Sequence, residues 1–235
     1  MKKEDLGVLK ISISYFLLGA IWVFFSDKIL FKSLKFSEGY LNYSIIKGII
    51  FIVFSSVFIF VLVKREINKR IKIWEYYATH DSMTKCLNRK AGLEKLNTLL
   101  KNYSLRSPIS IIYVDLNNLK MINDNYSHSE GDKAIIRIGK IFKQSVKKDD
   151  FVVRLGGDEF LIVLLNSDEK NAGKIIEVIN NKIKVLNVSS RVELSISCGV
   201  VTYSQEYINI EDFINEADRR MYENKKLFHS QLKFA

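Results

Sequence analysis

Two adjacent glycines followed at once by two carboxylates, Gly156-Gly157-Asp158-Glu159, are the residues whose types and spacing first suggest chemistry. Glycines permit a tight turn and leave no side chain between backbone and ligand. The flanking segments 151–154 and 159–165 read as two strands, so both carboxylates stand at a hairpin tip. Taken alone, the turn is equally an exposed acidic hairpin. A further carboxylate, Asp115, follows the apolar run Ile109-Ser-Ile-Ile-Tyr-Val114 and emerges at that strand's C-terminal edge. If the two strands are neighbours, Asp115 and Asp158 converge. Two hard carboxylates facing an open site suit Mg²⁺, which keeps waters and substrate phosphates as its other ligands. That arrangement serves phosphoryl transfer.

The elements that must position these residues alternate between helical and strand patterns. Residues 89–103 have helical periodicity. Pro108, the only proline, precedes the buried strand 109–114. Residues 133–146 place Ile135, Ile138, Ile141 and Phe142 on one helical face. After the hairpin come a helix over 171–185, an alternating strand over 192–201 and a terminal helix over 211–227. The order α-β-α-β-β-α-β-α predicts an α+β fold with a central, mostly antiparallel sheet flanked by helices.

The first sixty-odd residues are of another kind. Residues 11–26 and 48–63 carry no charge. With their flanks they give two predicted membrane spans, about 8–27 and 42–63, each near the roughly 20 residues that cross a bilayer. Together they make a two-helix transmembrane hairpin over 1–63. Two buried core helices are the alternative reading. A cleaved signal peptide is disfavoured by the second apolar run and the lack of a small-residue cleavage site. The short loop carries Lys28, Lys32 and Lys35, nearly balanced by Lys2, Lys3 and Lys10 at the N-terminus. The basic cluster Lys64, Arg65, Lys69, Arg70 and Lys72 after the second span decides the orientation. It implies a multi-pass cell-membrane protein with both termini cytoplasmic. Residues 64–79 read as a juxtamembrane stalk helix, with Ile67, Ile71, Trp74 and Ala78 on an a/d seam. A parallel dimer stalk and a helix packed on its own domain both fit that seam. The net charge of +10 comes without any block of like charges resembling a nucleic-acid tail, so no nucleic-acid partner is expected. Cys86 and Cys198 make neither a disulfide framework nor a zinc site.

Six ordered strings carry a resemblance across residues 80–225. Asp81-Ser-Met-Thr-Lys-Cys-Leu-Asn-Arg89 is similar to D-x-L-T-G-L-x-N-R. Asp115-Leu-Asn-Asn-Leu-Lys-Met-Ile-Asn-Asp124 is similar to D-I-D-x-F-K-x-I-N-D. Ser127-His128 with Gly131-Asp132 is similar to G-H-x-x-G-D. Arg154-Leu-Gly-Gly-Asp-Glu-Phe160 is the hallmark, and Ser195-Ile-Ser-Cys-Gly-Val200 resembles the late strand. Ala217-Asp218, Met221-Tyr222 and Lys225 resemble the closing helix. Together they resemble the GGDEF-domain diguanylate cyclase family, and matching order and spacing make the set far more specific than any one motif.

The resemblance implies a palm-like nucleotidyl cyclase domain over 80–235 that condenses two GTP into cyclic di-GMP with release of pyrophosphate. It implies Mg²⁺, with Mn²⁺ as a substitute, held by Asp115, Asp158 and the Leu116 carbonyl. Asp158 or Glu159 would deprotonate or stabilise the attacking 3′-hydroxyl. Asn123 and Asp132 would read guanine, and His128 would lie near the nucleotide. Asn118, Leu119 and Lys120 would line the phosphates beside Gly156 and Gly157, and Lys225 would reach them from the last helix. Each domain would hold one GTP, so a homodimer is implied. Bland readings stand beside these: Asp132 as a cap of a helix beginning near Lys133, His128 as a structural donor, Lys225 as part of a solvated face.

Some positions depart from the pattern. Asn117 replaces an Asp, Leu119 a Phe, Ser127 a Gly, Lys85-Cys86 a Gly-Leu, and Phe228-His229 a Gly-Arg. The feedback motif R-x-x-D is degenerate, reading Lys147-Lys-Asp-Asp150. Lysine lacks the planar fork of arginine, so weak product inhibition is expected. The alternative to an active cyclase is a catalytically impaired domain acting as a GTP-binding or partner-binding module.

Overall fold

A computed structural model describes residues 3–34, 40–101, 107–204, 206–207 and 209–232. The chain divides into two units, Met1–Glu75 and Tyr76–Ala235.

The first unit is helical. Helix α1 spans Lys3–Leu34 and helix α2 spans Tyr40–Thr79. Trp22 stacks on Phe51 with ring centroids 5.5 Å apart, and Gly7 lies against Glu66. Those pairings run the two helices antiparallel. Both are long and apolar enough to cross a membrane. Phe16, Phe24, Ile52 and Phe60 point outward along them, and so large an apolar surface marks a membrane or protein contact. Helix α1 continues to Leu34, so the part of the expected loop that carries Lys28 and Lys32 is helical. Residues 35–39, including Lys35, lie outside the described residues. The expected stalk over 64–79 is the unbroken continuation of α2.

The second unit has the predicted α+β architecture. Its five-stranded sheet has the order β1-β3-β4-β2-β5, built from Leu87–Asn88, Ile109–Leu116, Phe151–Gly156, Glu159–Leu165 and Ile196–Thr202. Only β1 and β3 pair in parallel. Helices α3 (Arg89–Lys101) and α7 (Ile210–Leu232) cover one face with Leu96, Phe213, Ala217 and Met221. Helices α5 (His128–Ser145) and α6 (Glu169–Val188) cover the other with Ile138, Phe142 and Ile179. Strand β2 is therefore buried on both faces, which explains its near-continuous apolar run. Its odd-numbered residues face α7 and its even-numbered ones face α5 and α6.

Two element starts differ clearly from expectation, and two short elements are additional. The helix expected over 133–146 begins at His128, where the Ser127 hydroxyl accepts from the Glu130 amide and caps it. Asp132 is thus inside the helix and is not its cap. The strand expected from Val192 begins at Ile196. The Asn187 side chain donates to the Leu194 carbonyl and accepts from its amide, so this alternating segment is clamped to the end of α6 instead of joining the ladder. The short helix α4 (Leu119–Asn125) and β1 were not anticipated, being too short to establish a period.

Candidate active site

The parity of β2 decides where Asp115 goes. It continues the odd-numbered row of Ile109, Ile111 and Tyr113, so its carboxylate faces α7 at the sheet's end. There it is 6% exposed. In the antiparallel register Asp115 pairs with Glu159, and cross-strand partners share a face. The hairpin tip is tied to the same edge, since the Leu116 amide donates to the Asp158 carbonyl at 3.2 Å. Asp115, Asp158 and Glu159 therefore gather at one end of the sheet. Burial raises the Asp115 pKa; Lys225 opposes that rise, and the charges of Asp158 and Asp218 add to it. The Lys225 ammonium lies 2.6 Å from Asp115 Oδ1.

The hairpin turns through Gly157 at φ 49°, a left-handed conformation that disfavours side chains. Nothing lies within 4 Å of where a Cβ would project from Gly156 or Gly157. The tip is open to a ligand. It is also braced from below. Arg154 donates through Nε and Nη2 to the Gly157 carbonyl, at 3.2 and 2.8 Å, and through Nη1 to the Asp81 carboxylate at 3.1 and 3.2 Å. Burial would raise the Asp81 pKa, but its bonds from Thr84 and Arg154 outweigh that and hold it below the usual value.

Past Asp115 the chain leaves the sheet through Asn117 and Asn118. Asn117 is 1% exposed. It donates to Ser195 Oγ and accepts from the Ser197 hydroxyl at 2.8 Å. The amide standing where an Asp was expected thus ties the end of β2 to the start of β5. Asn118 adopts φ 59° and turns the chain into α4. It leaves Asn118 and Leu119 half-buried and Lys120 exposed. Asn123, on α4, packs so tightly on Gly131 of α5 that a Cβ at 131 would overlap its carboxamide. This brings Asn123 beside the turn of α5 that carries His128 and Asp132, both exposed.

Some features escaped the sequence reading. Lys225 was expected at the phosphates, but its pairing with Asp115 was not, nor was the charge of Asp218 beside that carboxylate; the seven-residue spacing that puts both on one face of α7 was the available signal. Tyr113, two residues before Asp115 on the same face, bonds to Glu159; burial first, and then that carboxylate, push its phenol far above its ordinary pKa. The ion pair of Asp81 with Arg154 joins the first motif to the hallmark and had no signal beyond their charges.

The degenerate feedback motif lies elsewhere. Both Asp150 oxygens accept backbone amides, from Lys147 and Leu165, each at 2.9 Å. Asp150 closes a loop. A groove of about 420 Å³ beside it is lined by Lys85, Lys143, Lys147 and Lys148. The side chains of Phe228 and His229 lie outside the described residues.

No group of three His, Cys, Asp or Glu side chains among the described residues forms a metal cage. The donors that do converge are hard carboxylate oxygens, already balanced by an ammonium. They fit a hard divalent cation that completes its shell with waters and phosphates.

The sequence profile described as "Diguanylate cyclase, GGDEF domain" matches residues 78–230. Among curated proteins of Escherichia coli K12, the chain is 35% identical to probable diguanylate cyclase DgcJ over 147 residues, covering 62% of this chain and 29% of that protein. It is 34% identical to diguanylate cyclase DgcP over 150 residues, covering 62% and 44%. The chain thus spans less than half the length of these relatives. The solved GGDEF domain of TpbB from Pseudomonas aeruginosa is 27% identical, with a TM-score of 0.57 over 63% of this chain and 89% of that one. The coiled coil and GGDEF domain of DgcB from Caulobacter crescentus shares the fold, at 18% identity and a TM-score of 0.68 over 74% and 94%.

Proposed function

The chain belongs to the GGDEF-domain diguanylate cyclase family, and on that premise we propose that it condenses two GTP molecules into cyclic di-GMP at a membrane. The observation that carries this reading is the register pairing of Asp115 with Glu159, with Asp158 tied to Leu116 at the same edge.

Asp115, Asp158 and the Leu116 carbonyl would hold Mg²⁺, with Mn²⁺ able to take its place. The cation supplies Lewis-acid polarisation of the phosphate and charge neutralisation. Asp158 or Glu159 takes or stabilises the 3′-hydroxyl proton of the attacking ribose. The 3′-oxygen then bonds to the α-phosphorus of the other GTP, the bond to the β-phosphate bridge breaks, and pyrophosphate leaves. Repeating the step closes the ring. The Asp132 carboxylate accepts from the guanine N1–H and N2–H donors, and Asn123 completes the reading of that edge, near His128. Asn118, Leu119 and Lys120 line the phosphates, and the bare backbone of Gly156 and Gly157 lets them approach.

One domain holds one GTP, so two domains must face each other. The exposed seam of Ile67, Ile71 and Trp74 supports pairing of α2 with a second copy, which raises the effective concentration of the two half-sites. The apolar helices α1 and α2 support anchoring in the cell membrane, with both termini and the cyclase domain cytoplasmic by the distribution of Lys and Arg.

Full-length protein in detergent, given GTP and Mg²⁺, should yield cyclic di-GMP, and Asp158→Asn should abolish it. A dimeric preparation that gives no product overturns the cyclase reading. If that preparation is still stabilised against heat by GTP, it is a nucleotide-binding module instead.

A further inference from the structure

Lys225 occupies the place that a metal-binding carboxylate would need to have free. Its ammonium is 2.6 Å from Asp115 Oδ1, at the hydrogen-bonding distance of a strong charged pair. Asp115 is almost fully buried, and the charges of Asp158 and Asp218 bear on it, with Glu159 opposite in the register. Lys225 is the one cation that the structure brings into contact with Asp115 among the described residues. Without it the carboxylate would be a buried charge among like charges, a strongly unfavourable arrangement.

The backbone bearing Lys225 is fixed. Asn224 donates to the Cys198 carbonyl at 2.6 Å, and Arg220 donates to the Val200 carbonyl at 2.8 Å, so α7 is fastened to the open edge of β5 on the turn before and beside Lys225. The Lys225 side chain itself is 28% exposed, with a flexible four-carbon stem. The ammonium can swing out while the helix stays.

We propose that Lys225 is an interlock: it holds Asp115 closed against a divalent cation until the phosphates of a nucleotide draw its ammonium away. This rests on the functional reading above, and it adds an order of events. Cation and ammonium compete for Asp115 Oδ1, so the cation alone binds weakly. An arriving triphosphate offers Lys225 a better partner and frees the oxygen. By linkage, whatever factor nucleotide adds to cation affinity, the cation adds to nucleotide affinity. The site therefore loads with cation and nucleotide together, and it avoids capturing a metal ion in the absence of substrate. Lys225 acts here through Asp115, as a positioning residue.

The test is Mn²⁺ binding without nucleotide, read from the electron paramagnetic resonance signal of free Mn²⁺ with full-length protein in detergent. Lys225→Met should bind Mn²⁺ more tightly than wild type, on the order of five- to tenfold or more. Lys225→Ala should do the same, and Lys225→Arg, which keeps the charge, should not. In thermal melts, Mn²⁺ should raise the midpoint of Lys225→Met more than that of wild type. A merely structural ion pair would lower the melting point of the variants without changing their response to Mn²⁺. Equal or weaker Mn²⁺ binding by both Lys225→Met and Lys225→Ala overturns the interlock. None of these readouts depends on turnover, so that result leaves a working cyclase reading intact. Absence of product with the competition present would overturn the cyclase reading alone.

Discussion

At the scale of single residues, charge pairs set the geometry of the site. Arg154 reaches both ways, with one edge of its guanidinium on the Gly157 carbonyl and Nη1 on Asp81. A lysine could not span both, because it lacks the fork. Arg154→Lys should therefore let the hairpin tip drift and lower turnover about 10- to 100-fold. Nucleotide binding, read as GTP-dependent thermal stabilisation, should change much less. Asp81→Asn should destabilise the domain by about 1.5–3 kcal/mol at pH 7, the range for a hydrogen bond to a charged group. The pH dependence has a definite sign. Asp81 is held below its ordinary pKa of 3.8, so its stabilisation is present above that value and fades as pH falls through the folded pKa. Denaturation of wild type and Asp81→Asn should differ at pH 7 and converge in strong acid. A difference that persists undiminished there would exclude the ion pair as its source.

At the scale of elements, two glycines decide how closely helices can approach. A Cβ at Gly199 on β5 would overlap the Ala217 carbonyl and the Met221 amide, both backbone of α7. Neither can swing aside, so Gly199→Ala must push α7 off the sheet, at about 1–3 kcal/mol for such overpacking. Because α7 carries Lys225, GTP binding should weaken along with the melting temperature. Gly131 works differently. A methyl there meets side chains and no backbone: the Asn123 carboxamide, which can rotate away, and more lightly the Leu119 methyl at 3.3 Å. Gly131→Ala should keep the fold but misplace Asn123, raising KM for GTP about tenfold while kcat changes little. A rise confined to kcat would argue that Asn123 does not touch the base. Ser127 shows an element tolerating a departure from the family pattern: its hydroxyl caps α5 and so stabilises the helix that presents Asp132.

At the scale of the whole molecule, the proposed reaction requires two copies to meet. The seam along α2 leaves Trp74 72% exposed, with Ile67 and Ile71 about half exposed. Ile71→Asp with Trp74→Asp should lower turnover per chain at dilute concentration while GTP binding persists. Raising the protein concentration should recover much of the loss, because what is removed is effective concentration and not the site. Failure to recover would mean that the stalk does more than pair the domains. Feedback belongs to this scale as well. Asp150 spends both oxygens on its own loop, and Lys147 offers only a point charge. Added cyclic di-GMP should leave turnover nearly unchanged; tight non-competitive inhibition would contradict this.

Some of this was written in the chain itself. An apolar strand ending in Asp115, a Gly-Gly turn carrying Asp158 and Glu159, and two uncharged N-terminal runs are local patterns, and local patterns follow from backbone periodicity. They gave the α+β class, the hairpin and the candidate carboxylates. They could not give the contact between Asp115 and Lys225, which are 110 positions apart and meet only through the parity of β2 and the docking of α7. The brace from Asp81 to the hairpin and the seat of Asn117 between two serines are likewise products of packing. The start of α5 was mistaken because Ser127 supplies a cap to a first turn that is polar throughout. Even Gly156-Gly157-Asp158-Glu159, legible from the outset as a turn with two carboxylates, acquires its chemistry from elsewhere. Strand register sets Glu159 opposite Asp115, and register is fixed by side chains that are distant in sequence and buried together in space.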